Sequence, residues 1–369
     1  MTIAHRAVAP TVVVLAALAA APWLLSEFWL TNILDRALIY GIVALSLTFL
    51  ATYGGFVSLA QMAIAGVAGY TIAVTVPEAI PANRVGLSYA AAIPLALLMS
   101  TLAGLLVGAI AVRTREIYLL MITLAIAVSF YYGVQTNLEY LNGYEGIRNV
   151  LGPQIFGLPF RDPLVFHGVT LATAALLYCA VLYVVASPFG LVLQGLRDNA
   201  HRVAALGYNV ALHRMAAFAA AGFIAGCGGV LSAIYNIGIS PGQVSTHATI
   251  SILIIAVIGG LGHPVGAFLG ALIFTLLDTF SASIYDRDRF NTLIGLVFLV
   301  IVMVSPDGLV GLVARSREVA HRIARRQNRP RPPASRFTRP SAHRSLIDTK
   351  GQTCTPHSPG AGFSALPQP

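Results

Sequence analysis

The sequence predicts an all-α integral membrane protein of about ten transmembrane helices, with the N- and C-termini cytoplasmic. Three observations lead there. Of 369 residues, 57% are hydrophobic and only 10% charged, with a mean hydropathy of +0.77, so there are too few polar side chains to cover a soluble globule. Apolar runs of about 20 residues, the length a helix needs to cross about 30 Å of hydrocarbon, recur along the chain. Basic residues gather on one set of the connecting loops.

The first run, 11–30, follows His5 and Arg6 and contains Ala19-Ala20-Ala21 before Pro22, so it has a rival reading as a cleavable signal peptide. Its apolar character continues through Trp23-Leu24-Leu25 to Leu30, longer than a usual signal core, which favours a helix. Further runs fall at 34–52, 56–76, 88–112, 117–135, 164–186 and 213–236. The next two, 247–262 and 264–282, meet at Gly259-Gly260-Leu261-Gly262-His263-Pro264, where the chain makes either a tight turn or a re-entrant bend. The last is 290–305. With the N-terminus inside, seventeen of the 23 basic residues share its side; Arg36, Arg84, Arg148, Arg161, Arg287 and Arg289 lie opposite. The positive-inside rule selects this orientation, and an even helix count returns the C-terminus to the cytoplasm.

The formal charge of +9 divides unevenly. Residues 305–369 hold eleven basic and three acidic groups, leaving twelve against eleven elsewhere. The membrane body is nearly neutral, so the charge carries no nucleic-acid signal. The chain reads as an N-terminal segment with the first helix (1–32), a transmembrane domain (33–312) and a basic Pro/Arg/Ser-rich tail (313–369), expected to be disordered. The tail's basic residues suit anionic membrane lipid, at about 1 kcal/mol each near the surface. Within the domain, the longest outer loop is 136–163 and the main polar loop is 187–213.

Several classes are excluded or weakened. A P-loop needs a lysine at the β/γ-phosphates, and the one lysine, Lys350, stands in the tail. Ion-coupled carriers place ionisable groups deep in the membrane, whereas Asp35, Arg36 and Asp278 lie toward the ends of their runs, Asp278 reading as an interfacial carboxylate. His167, His247 and His263 stand apart in sequence from any carboxylate or cysteine, so no catalytic residue and no metal site is expected. Cys179, Cys227 and Cys354 form neither a disulfide framework nor a metal-ligand pattern.

The segment Arg197-Asp198-Asn199-Ala200-His201-Arg202-Val203-Ala204-Ala205-Leu206-Gly207 is a polar island between apolar runs. At mid-bilayer each of its charges would cost about 2.5–3.5 kcal/mol, so it belongs in water or at the interface. Asp198 or Asn199 can cap a helix there and Gly207 can end it. Ala200, Val203, Ala204 and Gly207 follow the i, i+3, i+4, i+7 spacing of one small-residue face. Such a helix suits a groove on a partner protein, or lies on the membrane as a solvated loop helix.

Ser187-Pro188-Phe189-Gly190, Gly195-Leu196-Arg197-Asp198-Asn199 and Ala204-Ala205-Leu206-Gly207 resemble the cytoplasmic loop of inner-membrane permeases of branched-chain amino acid ABC importers, in particular the M-type subunit of Liv systems. Tyr53-Gly54-Gly55-Phe56-Val57-Ser58-Leu59-Ala60-Gln61, Arg113-Thr114-Arg115-Glu116-Ile117-Tyr118, Thr123-Leu124-Ala125, Asn142-Gly143-Tyr144-Glu145-Gly146-Ile147, Ile239-Ser240-Pro241, Gly259-Gly260-Leu261-Gly262 and Pro306-Asp307-Gly308-Leu309 follow in the family's order. The departures are Ala60 and Glu116 for glycines, Leu141-Asn142 for Thr-Gly, and Val265 and Ala267 in the glycine-rich stretch.

The resemblance implies an ABC-importer permease fold in a bacterial cytoplasmic membrane. The implied partners are two ATP-binding cassette subunits, a second homologous permease subunit, an extracytoplasmic solute-binding protein and a small-molecule substrate, an amino acid. ATP would sit on the partner subunits, with no cofactor on this chain. Asp198, Ala200, Val203, Ala204 and Gly207 become the coupling helix to the ATPase, and Glu145 and Arg148 contacts for the binding protein. Gly54, Gly55, Gly259 and Gly260 break helices where backbone must be buried in protein or line a cavity, and with Gln61 they are the expected translocation pathway. Urea, short amides or another amino acid are alternative substrates for the same machinery; an ion-coupled secondary transporter is a more distant alternative.

Overall fold

The computed structural model describes residues 26–77, 86–114, 116–155, 158–160 and 162–284, with a few isolated positions besides, among them 79 and 308. Contacts divide the chain into Met1–Ala320 and His321–Pro369, and the described residues all belong to the first unit. The runs expected at 11–30 and 290–305, and the tail, fall almost entirely outside them.

Helix α1, Trp29–Gly54, is the most buried span and opens and closes with wide π-turns, Trp29–Asp35 and Leu50–Gly54. Gly55 stops it in the left-handed conformation, φ 73°, which costs a glycine little. The chain then runs without helix or ladder to Ser58 and turns at Leu59-Ala60, with alternate residues from Phe56 to Ala60 buried, before α2, Gln61–Thr75. This corrects the single run expected at 56–76: α2 alone, at about 22 Å, is too short to cross. This non-helical stretch takes a partner from the bundle, the amide of Leu59 donating to Thr123 Oγ1 at 3.1 Å.

Three further helices, α3 (Tyr89–Ala111), α4 (Glu116–Thr136) and α5 (Pro163–Ala186), have spanning length and expose most of their surface. Next come α6, Pro188–Ala205, and the largely buried α7, Val210–Tyr235. Helix α7 packs against α1, α2 and α3. Small residues allow that approach: a Cβ on Gly104 would stand 2.5 Å from the Phe218 carbonyl oxygen, and one on Gly222 2.7 Å from that of Ser100.

Helices α8, Thr246–Gly259, and α9, Pro264–Ile284, are bent by 116° at the break between them. Phe280 of α9 reaches the Trp29 ring at 5.7 Å, back at the end of the bundle where α8 began. The pair is therefore a hairpin that returns. Among the described residues, five helices are long and apolar enough to cross a membrane, six if the bent pair counts as one.

At the end where the hairpin opens, strand β1, Ile147–Arg148, lies antiparallel to a later strand, Gly238–Ile239, with Ile147 opposite Ile239. Gln154–Ile155 and Leu158–Pro159 form a second small ladder. The first ladder, with the Val150 amide donating to the Ile237 carbonyl at 3.3 Å, ties this loop end to the segment after α7. The opposite end, called here the island end, carries Gly54-Gly55, the hairpin turn and the polar island.

Candidate functional site

The polar island is two helices rather than one. Ser187 accepts from the Gly190 amide and Pro188 takes the first helical position, starting α6. Asn199 then leaves helical geometry (φ −161°, ψ 98°) and its Oδ1 accepts from the Arg202 amide at 3.1 Å. Of the two caps that the residues allowed, Asn199 is the one used. The short second helix runs to Ala205, and Gly207 at φ 89° stops it in the left-handed region.

Its four-residue small face divides. Val203 is buried, folded back so that a Cβ on Gly195 would meet its Cγ2 at 3.1 Å. Ala204 and Gly207 are exposed with Asp198, and Ala200 is half-buried. The accessible surface is therefore Ala204, Ala205 and Leu206, the last 76% exposed, rimmed by His201 and Arg202. The loop's base is fixed by aromatic contacts: the His213 ring stacks on Phe189 at 5.7 Å and meets Tyr208 edge-on at 5.8 Å.

Gly54 and Gly55 sit beneath this loop. A Cβ on Gly55 would come 2.7 Å from Arg197 Cγ, and one on Gly54 3.6 Å from Leu193 Cδ1. On the other flank, Arg214 lies 4.8 Å over the Phe56 ring. Gly259 and Gly260 close the hairpin: a Cβ on Gly259 would overlap the Gly266 carbonyl, and Gly308, from the Pro-Asp-Gly-Leu motif, packs on the Gly260 backbone. Four motifs read separately in the sequence thus meet at one end.

Gln61 is 1% exposed at the start of α2, and its Oε1 accepts from Ser46 Oγ at 3.0 Å. It links α1 to α2 at mid-depth. Glu145 and Arg148 are both exposed at the loop end, beside a buried Ile147. A cavity of about 180 Å3 opens there, walled by Thr31, Phe160, Phe166, Tyr235 and Ile237. None of the residues expected on the pathway lines it.

The loop end also corrects the reading of His167 as isolated. Its Nδ1 lies 2.6 Å from Asp35 Oδ1, with both residues buried. Arg36, one residue on, pairs with Asp278 at 2.5 Å and lies over the Tyr40 ring. Asp278 is accordingly an ion-pair partner. These pairs join residues up to 242 positions apart, and no local pattern announces them. Among the described residues, no cluster of His, Cys, Asp and Glu has the geometry to hold a metal.

Residues 29–304 match the family model described as branched-chain amino acid transport system / permease component. The probable branched-chain amino acid transport permease protein LivM of Methanocaldococcus jannaschii is 26% identical over 239 residues, covering 58% of this chain and 67% of that protein. The high-affinity branched-chain amino acid transport system permease proteins LivM of Salmonella typhimurium and Escherichia coli are each 25% identical over 304 residues, 76% of this chain and 69% of theirs. No solved structure matches the chain.

Proposed function

The chain belongs to the permease-component family of branched-chain amino acid transport systems, and from that premise we propose that it is the membrane subunit of an ATP-driven, binding-protein-dependent importer working by alternating access. The observation that supports this most directly is the short helix after Asn199. It is held at its base, capped at its start, and turns Ala204, Ala205 and Leu206 outward. An exposed apolar strip at the rim of a membrane bundle fits a groove on a water-soluble partner.

In this mechanism the partner is the ATP-binding subunit, on the cytoplasmic side. Closure of an ATPase dimer pushes the helix at 200–205, and its two flanks, the part of α6 before Asn199 and α7, move with it. A second, homologous permease completes the membrane unit. The opposite end, with exposed Glu145 and Arg148, receives the solute-binding protein, and the translocated molecule is a branched-chain amino acid. ATP is held by the partner subunits.

Uptake into proteoliposomes containing the assembled complex tests the class. Uptake stopped by vanadate is expected; vanadate-insensitive uptake that collapses with the proton gradient would overturn the reading. Ala204→Trp should leave insertion intact and detach or uncouple the ATPase, and unchanged uptake would count against docking at this strip. The specificity of the solute-binding protein tests the substrate: selective binding of leucine, isoleucine or valine is expected, and selective binding of urea or an amide would replace it.

A further inference from the structure

Three segments far apart in the sequence are tied together at the island end by two hydrogen bonds. The last turn of α1 leaves carbonyl groups without helical partners, and Arg197 Nη1 donates to one of them, that of Thr52, at 2.5 Å. A cation is favourable there because a helix C-terminus carries partial negative charge. The hydroxyl of the same Thr52 donates to the carbonyl of Leu261, in the turn of the α8–α9 hairpin. Thr52 is buried, and its carbonyl and its hydroxyl bond two different segments, the polar island and the hairpin turn.

The fit around this node is close. The Arg197 stem lies along the bare backbone of Gly55, where a Cβ would stand 2.7 Å from its Cγ. Asn199, where the helix breaks, is two residues further on. The short exposed helix therefore hangs from an arginine that is fastened to the end of α1, and through Thr52 to the hairpin turn. Arg197 Nε also lies 3.8 Å from Asp198 Oδ1, but both side chains are largely exposed and such a pair contributes little.

We propose that Arg197 and Thr52 are positioning residues, forming the joint through which a displacement of the 200–205 helix is delivered to the hairpin turn at Leu261. The proposal rests on the permease reading and adds to it the identity of the connection. Without these bonds the break at Asn199 lets the short helix swing while α1 and the hairpin stay in place. The fork of Arg197 fixes direction as well as distance, which a lysine, with a single point charge, does less well.

The test uses the whole complex in proteoliposomes, measuring uptake and ATP hydrolysis together. Arg197→Met keeps the stem on Gly55 and removes the donors; Thr52→Val removes only the hydroxyl. Each is expected to lower substrate imported per ATP hydrolysed by about tenfold, the scale of a typical coupling between sites, with assembly and basal hydrolysis preserved. Arg197→Lys should restore part of the loss. The double variant should match the worse single variant within about twofold rather than multiply the two effects, because the bonds act in series.

A second readout follows the turn itself. Gly262, exposed with nothing within 4 Å of a built Cβ, becomes a reporter as Gly262→Cys in a chain with Cys179, Cys227 and Cys354 replaced by serine. Its maleimide labelling should change on adding ATP and vanadate in the parent and stay constant in Arg197→Met. If the parent shows ATP-driven uptake and both variants keep its transport ratio and labelling change, the joint is refuted and the permease reading stands. If the parent shows no ATP-driven uptake at all, both fall together.

Discussion

Replacing His167 by leucine should destabilise the protein by about 3–5 kcal/mol, the cost of stranding one member of a buried pair. Asp35 is fully buried and His167 1% exposed. Among the described residues, the carboxylate has one partner, His167 Nδ1 at 2.6 Å, and none reaches its other oxygen, Oδ2. Leucine fills roughly the volume of the ring but offers no donor, so the carboxylate would face the bundle interior with neither oxygen bonded. Asp35→Leu removes the charge and leaves the imidazole without its carboxylate, at a cost of about 1–3 kcal/mol. Asp35→Leu with His167→Leu replaces the pair by apolar side chains of similar size, an exchange that ranges from neutral to stabilising by about 1–4 kcal/mol. The double variant should therefore be at least as stable as the parent, with a coupling of several kcal/mol between the sites. Unfolding in mixed micelles titrated with sodium dodecyl sulfate, followed by circular dichroism, measures all four corners of the cycle. Additive single effects, or a double variant worse than either single one, would refute the reasoning.

Gly229→Ala should destabilise by about 1–3 kcal/mol, because the added Cβ overlaps the Ala65 carbonyl and α2 and α7 must separate; Gly133→Ala, with nothing within 4 Å, is the control and should be neutral or gain about 0.5–1 kcal/mol. The same unfolding assay compares them, and equal effects would contradict the close approach. Asn199→Ala removes the cap on the short helix, worth about 1 kcal/mol, so amide exchange at Arg202 and Val203 should quicken about fivefold while α7 is unaffected. Ala204→Trp should leave membrane insertion unchanged and either detach the ATPase on co-purification or, with the ATPase retained, uncouple its hydrolysis from uptake.

The membrane character of the chain and the location of most of its helices are legible in hydropathy, because each apolar run reports its own cost of meeting water and needs no partner to do so. Where the run at 56–76 departs from a single helix, the cause is conformation: Phe56–Ala60 is as apolar as a helix, yet after the left-handed Gly55 it is a non-helical segment and a turn that the bundle hides, with Thr123 accepting from the Leu59 amide. The polar island was equally legible, since charge density, a cap and a stop are local signals. Arg197 stood in that segment, but nothing local marked it above its neighbours.

By itself, then, the sequence determined the membrane character of the protein, the family motifs and the polar island with its cap and stop, all properties of residues a few positions apart. Only the tertiary structure decided that Val203 turns inward while Ala204 and Leu206 face out, that α8 and α9 make a returning hairpin, and that Asp35 meets His167 across 132 positions. It also decided that Thr52 joins Arg197 to Leu261. A contact between distant residues depends on how helices cross and how far their small residues let them approach, and that geometry belongs to pairs of helices rather than to any one stretch of chain.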